Sequence, residues 1–470
     1  MNHPTVTRRG PGTAALCLVT IMTFTGVAAA APSVPAEISA PALEFLQRSI
    51  AYRTFPGQDQ VPAYAAYIAD VLKAGGFAPG DIVITPFEET ATLIARYRGS
   101  DPDARPIVIG GHMDVVPALK QHWQRDPFTA VIENGFVFGR GSSDNKFGVS
   151  TMIATLLWLK SEGFRPSRDI VLALSGDEET AQATTNVLSL QLKNAEMYLN
   201  SDAGGANLGD DGKPIVYGMQ AAEKTYADFE LSFTNPGGHS SRPSADNAIY
   251  RLARAIDRIA AYRFPTKASE LTLAYMRSAG ALTAGEDGAM MRRYAEHPTD
   301  RKAIKYLTRK PEYVGQLGTT CVATMLQAGH ARNALPQNAM VNINCRVFPG
   351  ESIESVKETL QRVVDDPAAQ IKVLLNPIPS DASPLRADFM TALRKAIDLT
   401  DPGLPIVPSM SAGATDSLYF RNLGVPSYGV SGLYMHPKDN FAHGLNERIP
   451  VAAFERAILQ WHSLLTDLAR

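Results

Sequence analysis

The chain has 470 residues, of which 45% are apolar and 20% charged, and its 45 Lys and Arg against 47 Asp and Glu give a formal net charge of −2. That length and apolar content are enough for two packed domains, and the near-neutral balance argues against nucleic acid as a partner. No low-complexity tract or internal repeat is visible.

At the N-terminus, Arg8 and Arg9 precede an apolar stretch from about residue 13 to 27 that closes on Ala28, Ala29, Ala30 and Ala31 before Pro32. This is the charged, apolar and small-residue order of a secretory signal peptide. Residues 1–31 are therefore expected to be removed and the mature chain exported, periplasmic or secreted, with no stable membrane association. An uncleaved anchor is the competing reading, but the apolar run is short and rich in Thr, Gly and Ala. Arg8 and Arg9 also fit a twin-arginine signal, against which Gly10 and Pro11 stand. Cys17 lacks a lipoprotein-type context. The mature chain keeps Cys321 and Cys345, each in a β-like run, and in an oxidising compartment the two can pair; two free buried thiols are the alternative.

From 32 to 217 helical and strand patterns alternate, as in an α/β unit. Residues 42–52 and 62–74 read as amphipathic helices, the second with Pro62 in its first turn, and 149–160 as a helix with a buried face. The apolar runs 106–111, 169–174 and 197–200 read as strands. Each is followed at once by acids or a histidine: His112 and Asp114, then Asp177, Glu178 and Glu179, then Asp202. In a parallel sheet, strand carboxyl ends face one crevice, where sites form. Taken singly, such an acid is more often a helix start or a solvated loop; it is the ordered set that points to a metal centre.

A different texture begins near 218. A strand at 226–233, a helix at 245–262, the two cysteine strands, a helix at 352–364 and a strand at 371–375 give a βαββαβ order, a four-stranded sheet covered by two helices. Residues 265–316 interrupt it as an extra, mostly helical stretch that would cap the site or alter an interface. From 378 the α/β pattern returns and carries His443. Bringing residue 443 to residue 112 requires a discontinuous α/β domain, 32–217 with 378–470, and an inserted α+β lid or dimerisation domain, 218–377. Among the remaining histidines, His122, His297, His330 and His462 have no ligand-like surroundings. His436, after a strand-like 425–434, is the rival to His443.

The runs Gly111-His112-Met113-Asp114, Trp123 with Asp126-Pro127-Phe128, Gly139-Arg140-Gly141-Ser142-Ser143-Asp144-Asn145-Lys146, Gly176-Asp177-Glu178-Glu179, Gly237-Gly238-His239, Asn333-Ala334-Leu335-Pro336 and His443-Gly444-Leu445-Asn446-Glu447 resemble the co-catalytic zinc peptidase family. This family includes aminoacylases, glutamate carboxypeptidases, carboxypeptidase S-like enzymes and succinyl-diaminopimelate desuccinylase. The resemblance spans nearly all of the mature chain. It implies two zinc ions, with Co2+ or Mn2+ as alternatives: His112 and Asp202 on one, Glu179 and His443 on the other, and Asp144, before a cis peptide bond, bridging them. Three carboxylates against two divalent ions leave a net positive centre, the donor chemistry that suits zinc. The resemblance further implies Glu178 as general base rather than Asp177, Asp114 as a hydrogen-bond acceptor orienting His112, and His239 as an oxyanion donor, acting across a homodimer in relatives. Arg346 and Asn333, with Gly413 and Thr415 of the 413–416 loop, are the expected substrate contacts; Ala414 stands in that loop where the family usually has Gly. The implied reaction is hydrolysis of an amide bond next to a free carboxylate, of carboxypeptidase or dipeptidase type, with N-acyl amino acid amidohydrolysis as the alternative. A non-catalytic peptide-binding protein would have lost a ligand or the base, and all are present.

Overall fold

The computed structural model describes Met1 and residues 33–470; the signal-peptide reading lies outside the described residues. The alternating pattern resolves into two sheets. The larger is ten-stranded, and its centre is four parallel strands in the order Ile170–Ser175, Ile107–His112, Met197–Asn200 and Ser427–Gly429. The first three are buried at every position, so their sequences are continuous apolar runs rather than alternations. Thr90–Tyr97 and Ile82–Phe87 extend one side antiparallel. Pro214–Glu223 carries the other side on to Ile406–Ser411 and the short Gly205–Leu208. Helices Ala36–Ile50, Val61–Ala74, Lys146–Ser161 and Ala453–Leu468 bury apolar faces around the sheet.

The predicted helices are observed, with the first beginning at Ala36 and containing Pro41 rather than starting at 42. The 425–434 run is not one strand. It breaks into Ser427–Gly429, paired with Met197–Asn200, and Tyr434–Met435, paired with Gly205–Leu208.

The smaller sheet is four-stranded and antiparallel, in the order Thr320–Ala328, Asn338–Val347, Thr225–Thr234 and Gln370–Leu374. Its chain order, with helices Ala248–Ala261 and Ile353–Val364, is the βαββαβ arrangement read from the sequence. Period-two alternation explains its sidedness. Phe229, Leu231, Phe233, Val341, Ile343 and Val347 pack under the two helices, while on the opposite face Asp228 accepts hydrogen bonds from Asn342 and Asn344 at 2.9 Å each. The large sheet continues to Glu223, and the small one starts at Thr225. The passage between them therefore falls after 223 instead of at 217/218. Residues 265–316 contain helices Glu270–Leu282, Gly285–Glu296, Arg301–Leu307 and most of Pro311–Leu317, with their own core around Met276, Met291 and Tyr294. Glu270–Leu282 packs on Ile406–Ser411, and Gln316 Nε2 donates to Met410 O at 3.0 Å, so this insert is anchored on the large sheet.

Cys321 and Cys345 sit directly opposite each other in the antiparallel ladder and form a disulfide. Closing a loop with a sequence separation of 24 stabilises the fold by about 3 kcal/mol in the chain-entropy account. Thiol alkylation of denatured, unreduced protein followed by peptide mapping is expected to leave both residues unlabelled. Full labelling of either one would contradict the bond. No helix among the described residues is long and apolar enough to cross a membrane.

Candidate metal centre

The parallel strands deliver three of the expected ligands to one end of the large sheet. His112 is the last residue of its strand and fully buried. Glu178 and Glu179 follow the strand ending at Ser175, and Asp202 follows the strand ending at Asn200. Asp144 arrives from the loop before helix Lys146–Ser161, where the Asp144–Asn145 peptide is cis as expected. Close approach at this end depends on Gly111, since a Cβ there would stand 2.1 Å from Asn145 Oδ1 and 2.6 Å from Ser201 Oγ. That space lets Asn145 accept from Ser201 Oγ at 2.9 Å and donate to Asp202 Oδ1 at 3.2 Å, joining two ligand loops.

The Asp144 carboxylate lies between two imidazoles, with Oδ1 2.9 Å from His112 Nε2 and Oδ2 3.1 Å from His443 Nε2. Asp202 Oδ1 is 3.6 Å from His112 Nε2, and Glu179 Oε1 is 2.8 Å from His443 Nε2. The ligand atoms group as His112 with Asp144 and Asp202, as Asp144 with Glu179 and His443, and as His112 with Glu178 and Glu179. The first two groups share Asp144, so one carboxylate can serve two ions. Two imidazoles and three carboxylates are a donor set that fits a pair of divalent cations.

The charges here are mutually dependent. Burial pulls the His112 imidazole down, but Asp202, Asp114 and Asp144 outweigh it and hold His112 well above its ordinary range. Hydrogen bonds that His443 donates to Asp144 and Glu179 push it up to about 10. Burial, with Asp144 next to it, pushes Asp202 up to about 8. Burial would also raise Asp144, yet the two histidines hold it low. The cluster thus draws positive charge between its carboxylates, and metal uptake must displace protons.

Asp114 uses its carboxylate differently from expectation. It accepts from the main-chain N–H of Glu178 at 3.1 Å and of Glu179 at 3.0 Å. His112 Nδ1 is 3.1 Å from the Asp114 main-chain oxygen and 3.4 Å from its carboxylate. Asp114 therefore orients the imidazole chiefly through its backbone and ties it to the Glu178–Glu179 turn. Asp177 accepts from the N–H groups of Ala183 and Thr184 at the start of helix Ala183–Gln191. That engagement sets Asp177 apart from Glu178, which is buried, is raised by burial well above the usual carboxylate range, and accepts from Gln182 Nε2 at 3.0 Å.

The remaining expected residues are placed as follows. His239 and Asn333 share a small ribbon of the small-sheet unit: His239 pairs with Ala334, Ser240 N donates to Asn333 O, and both side chains are exposed. His239 Nδ1 accepts from Ser241 and is in none of the three ligand groups. Arg346 stacks over Tyr226 and donates to Ala412 O at 2.6 Å, linking the small sheet to the 411–416 loop. Gly413 is exposed in that loop, whereas Thr415 is buried with its hydroxyl on Glu223; the Thr415 side chain fixes the loop from within instead of facing a substrate. Asp416 is buried and accepts from Ser175 and Thr185. His436 pairs with Asp210, and His462 with Glu162, away from the cluster.

Two residues with no role assigned from sequence stand behind the ligands. Glu447 is fully buried and accepts from the main chain of Gly141, Ser143 and Asp144, and Arg140 bonds both Glu447 and the main chain at His443. Their only sequence signal was membership of two glycine-containing motifs.

Among known proteins, the chain is 29% identical over 373 residues to the N-fatty-acyl-amino acid synthase/hydrolase of Homo sapiens, covering 77% of this chain and 74% of that one. It shares its fold with a metallo-carboxypeptidase of Sulfolobus solfataricus, at TM-score 0.65 and 18% identity over 90% of this chain and 98% of the other. A dinuclear metal-binding peptidase of Bacillus subtilis superposes at TM-score 0.61 and 14% identity, over 93% and 99% of the two chains. Residues 108–467 match the family described as peptidase family M20/M25/M40, and this chain, a metallo-hydrolase by that kinship and by its ligand cluster, belongs to it.

Proposed function

We propose that the protein uses two zinc ions to hydrolyse an amide bond adjacent to a free carboxylate, as at a peptide C-terminus or in a dipeptide. The observation that carries this reading is the single Asp144 carboxylate spanning His112 and His443, each with its own further acid. His112 and Asp202 would hold one ion, Glu179 and His443 the other, and Asp144 both; Co2+ or Mn2+ would suit the same donors. When bound, such ions supply Lewis acidity to the scissile carbonyl and to water. Glu178 takes the proton from the attacking water and returns it to the departing amine. Its burial supports this, because a buried carboxylate takes up a proton more readily than an exposed one. Arg346 sets a fixed positive charge beside the exposed backbone at 412–414, which favours a substrate carboxylate.

N-acyl amino acid hydrolysis is the second reading, favoured by the human relative whose name gives N-fatty-acyl-amino acids as its substrates. Both substrates present a free carboxylate next to the amide and differ on the acyl side. A panel of dipeptides and of short- and long-chain N-acyl amino acids, each with its C-terminally amidated counterpart, tests the proposal. Free acids of one series should be cleaved at least 10²-fold faster than their amides. Equal cleavage of acids and amides would reject carboxylate recognition.

Export is supported by the N-terminal pattern and by a disulfide of the kind that persists in oxidising compartments. A homodimer is supported by the edge strand Thr320–Ala328, which exposes Val322, Met325 and Leu326 and, among the described residues, leaves one side unpaired. In such a dimer His239 of one chain would complete the site of the other and stabilise the oxyanion. Mixing inactive His239→Ala and Glu178→Gln chains under subunit exchange should restore part of the activity, since one site per mixed dimer is intact. Mixed dimers that stay inactive would reject action in trans.

A further inference from the structure

We infer that Glu447 and Arg140 are positioning residues that assemble the half of the centre carrying His443. The two ligand loops involved, 139–144 and 443–447, lie about 300 residues apart in the chain and are joined here by one buried ion pair. Glu447 Oε1 accepts from Ser143 N at 2.8 Å, Ser143 Oγ at 2.9 Å and Asp144 N at 3.1 Å. Its Oε2 accepts from Gly141 N at 3.0 Å and Arg140 Nη1 at 2.6 Å. Arg140 Nη2 then donates to His443 O at 3.3 Å and Gly444 O at 3.1 Å, and its guanidinium lies over the Trp123 ring.

Both ends of this device terminate on ligand residues themselves. Glu447 holds the main chain of Asp144, and Arg140 holds the carbonyl of His443, whose φ of 61° is a left-handed conformation that a non-glycine residue adopts at a cost. The private ligands of the other half have holds outside this pair, His112 in its strand and Asp202 through Asn200, whose Oδ1 accepts from Asp202 N at 2.8 Å. Loosening the pair therefore costs the ion at Glu179 the placement of two ligands, Asp144 and His443, while the ion at His112 and Asp202 loses only the placement of the shared Asp144. The effect should be larger for the ion at His443.

This rests on the two-metal reading, and the experiment separates the two. Metal-free wild type, Glu447→Gln and Arg140→Lys are titrated calorimetrically with Zn2+ against a competing chelator, with far-UV circular dichroism as the check on folding. Wild type should take up two ions. Glu447→Gln, which replaces an acceptor oxygen with an amide facing N–H donors, should bind the second ion 10- to 100-fold more weakly, the range usual for outer-shell partners of metal ligands, and the first ion with a smaller loss. Arg140→Lys, which keeps the charge but loses the fork, should shift the same ion in the same direction by less, and it decides the matter if the glutamine variant does not fold. Two ions bound as tightly as in wild type, or both weakened alike, would overturn the inference. Fewer than two ions on wild type would instead overturn the two-metal reading.

Discussion

Replacing Glu178 by glutamine is expected to lower kcat by about 10²–10⁴, the usual contribution of a positioned acid–base group, while two ions per chain are retained. Glutamine keeps the volume and can still meet Gln182 at the site of the present 3.0 Å contact, but it cannot accept a proton from water. The main-chain N–H groups of residues 178 and 179 stay on Asp114, so the neighbouring Glu179 carboxylate keeps its aim at His443. Steady-state kinetics together with metal analysis of the same sample checks both halves. A variant that loses metal instead would reverse the roles of Glu178 and Glu179.

Replacing Asp144 by alanine is expected to remove bound metal and activity together. Each proposed site has two private ligands and shares this one, so a single substitution takes a ligand from both ions at once. Dialysed variant protein should retain less than one ion per chain under conditions where wild type holds two, and its turnover should fall below detection. By contrast, Asp202→Asn should weaken chiefly the ion at His112. Retention of two ions by Asp144→Ala would show that the carboxylate does not bridge.

Much of this centre could be read from the order of residues because its ligands follow buried strands, and a buried strand announces itself as an apolar run. His112, Glu178, Glu179 and Asp202 all stand at the ends of such runs, and parallel pairing brings those ends together. The βαββαβ order and the facing of Cys321 and Cys345 follow similarly, from two-residue alternation and antiparallel register. What stayed hidden depends on contacts with no local pattern. Asp177 and Glu178 are alike in sequence and are separated only by the helix start that Asp177 engages. Glu447 meets its donors across some 300 residues of chain, and Thr415 turns inward because Glu223 waits behind it. The 425–434 segment is buried at all positions but Pro426 and Leu433, and a stretch buried on both faces carries no period to mark where one strand ends and the next begins. For residues 265–316 the helices were legible, but not their packing on Ile406–Ser411, which no single-chain pattern encodes.

The most direct test of the two-metal account is a titration of metal-free protein with Zn2+ in which hydrolysis of a free-carboxylate dipeptide or N-acyl amino acid is followed to its plateau. The arrangement of Asp144 between His112 and His443 requires the plateau to come at two ions per chain. A plateau at one ion, or full activity in protein shown to hold no metal, would contradict it.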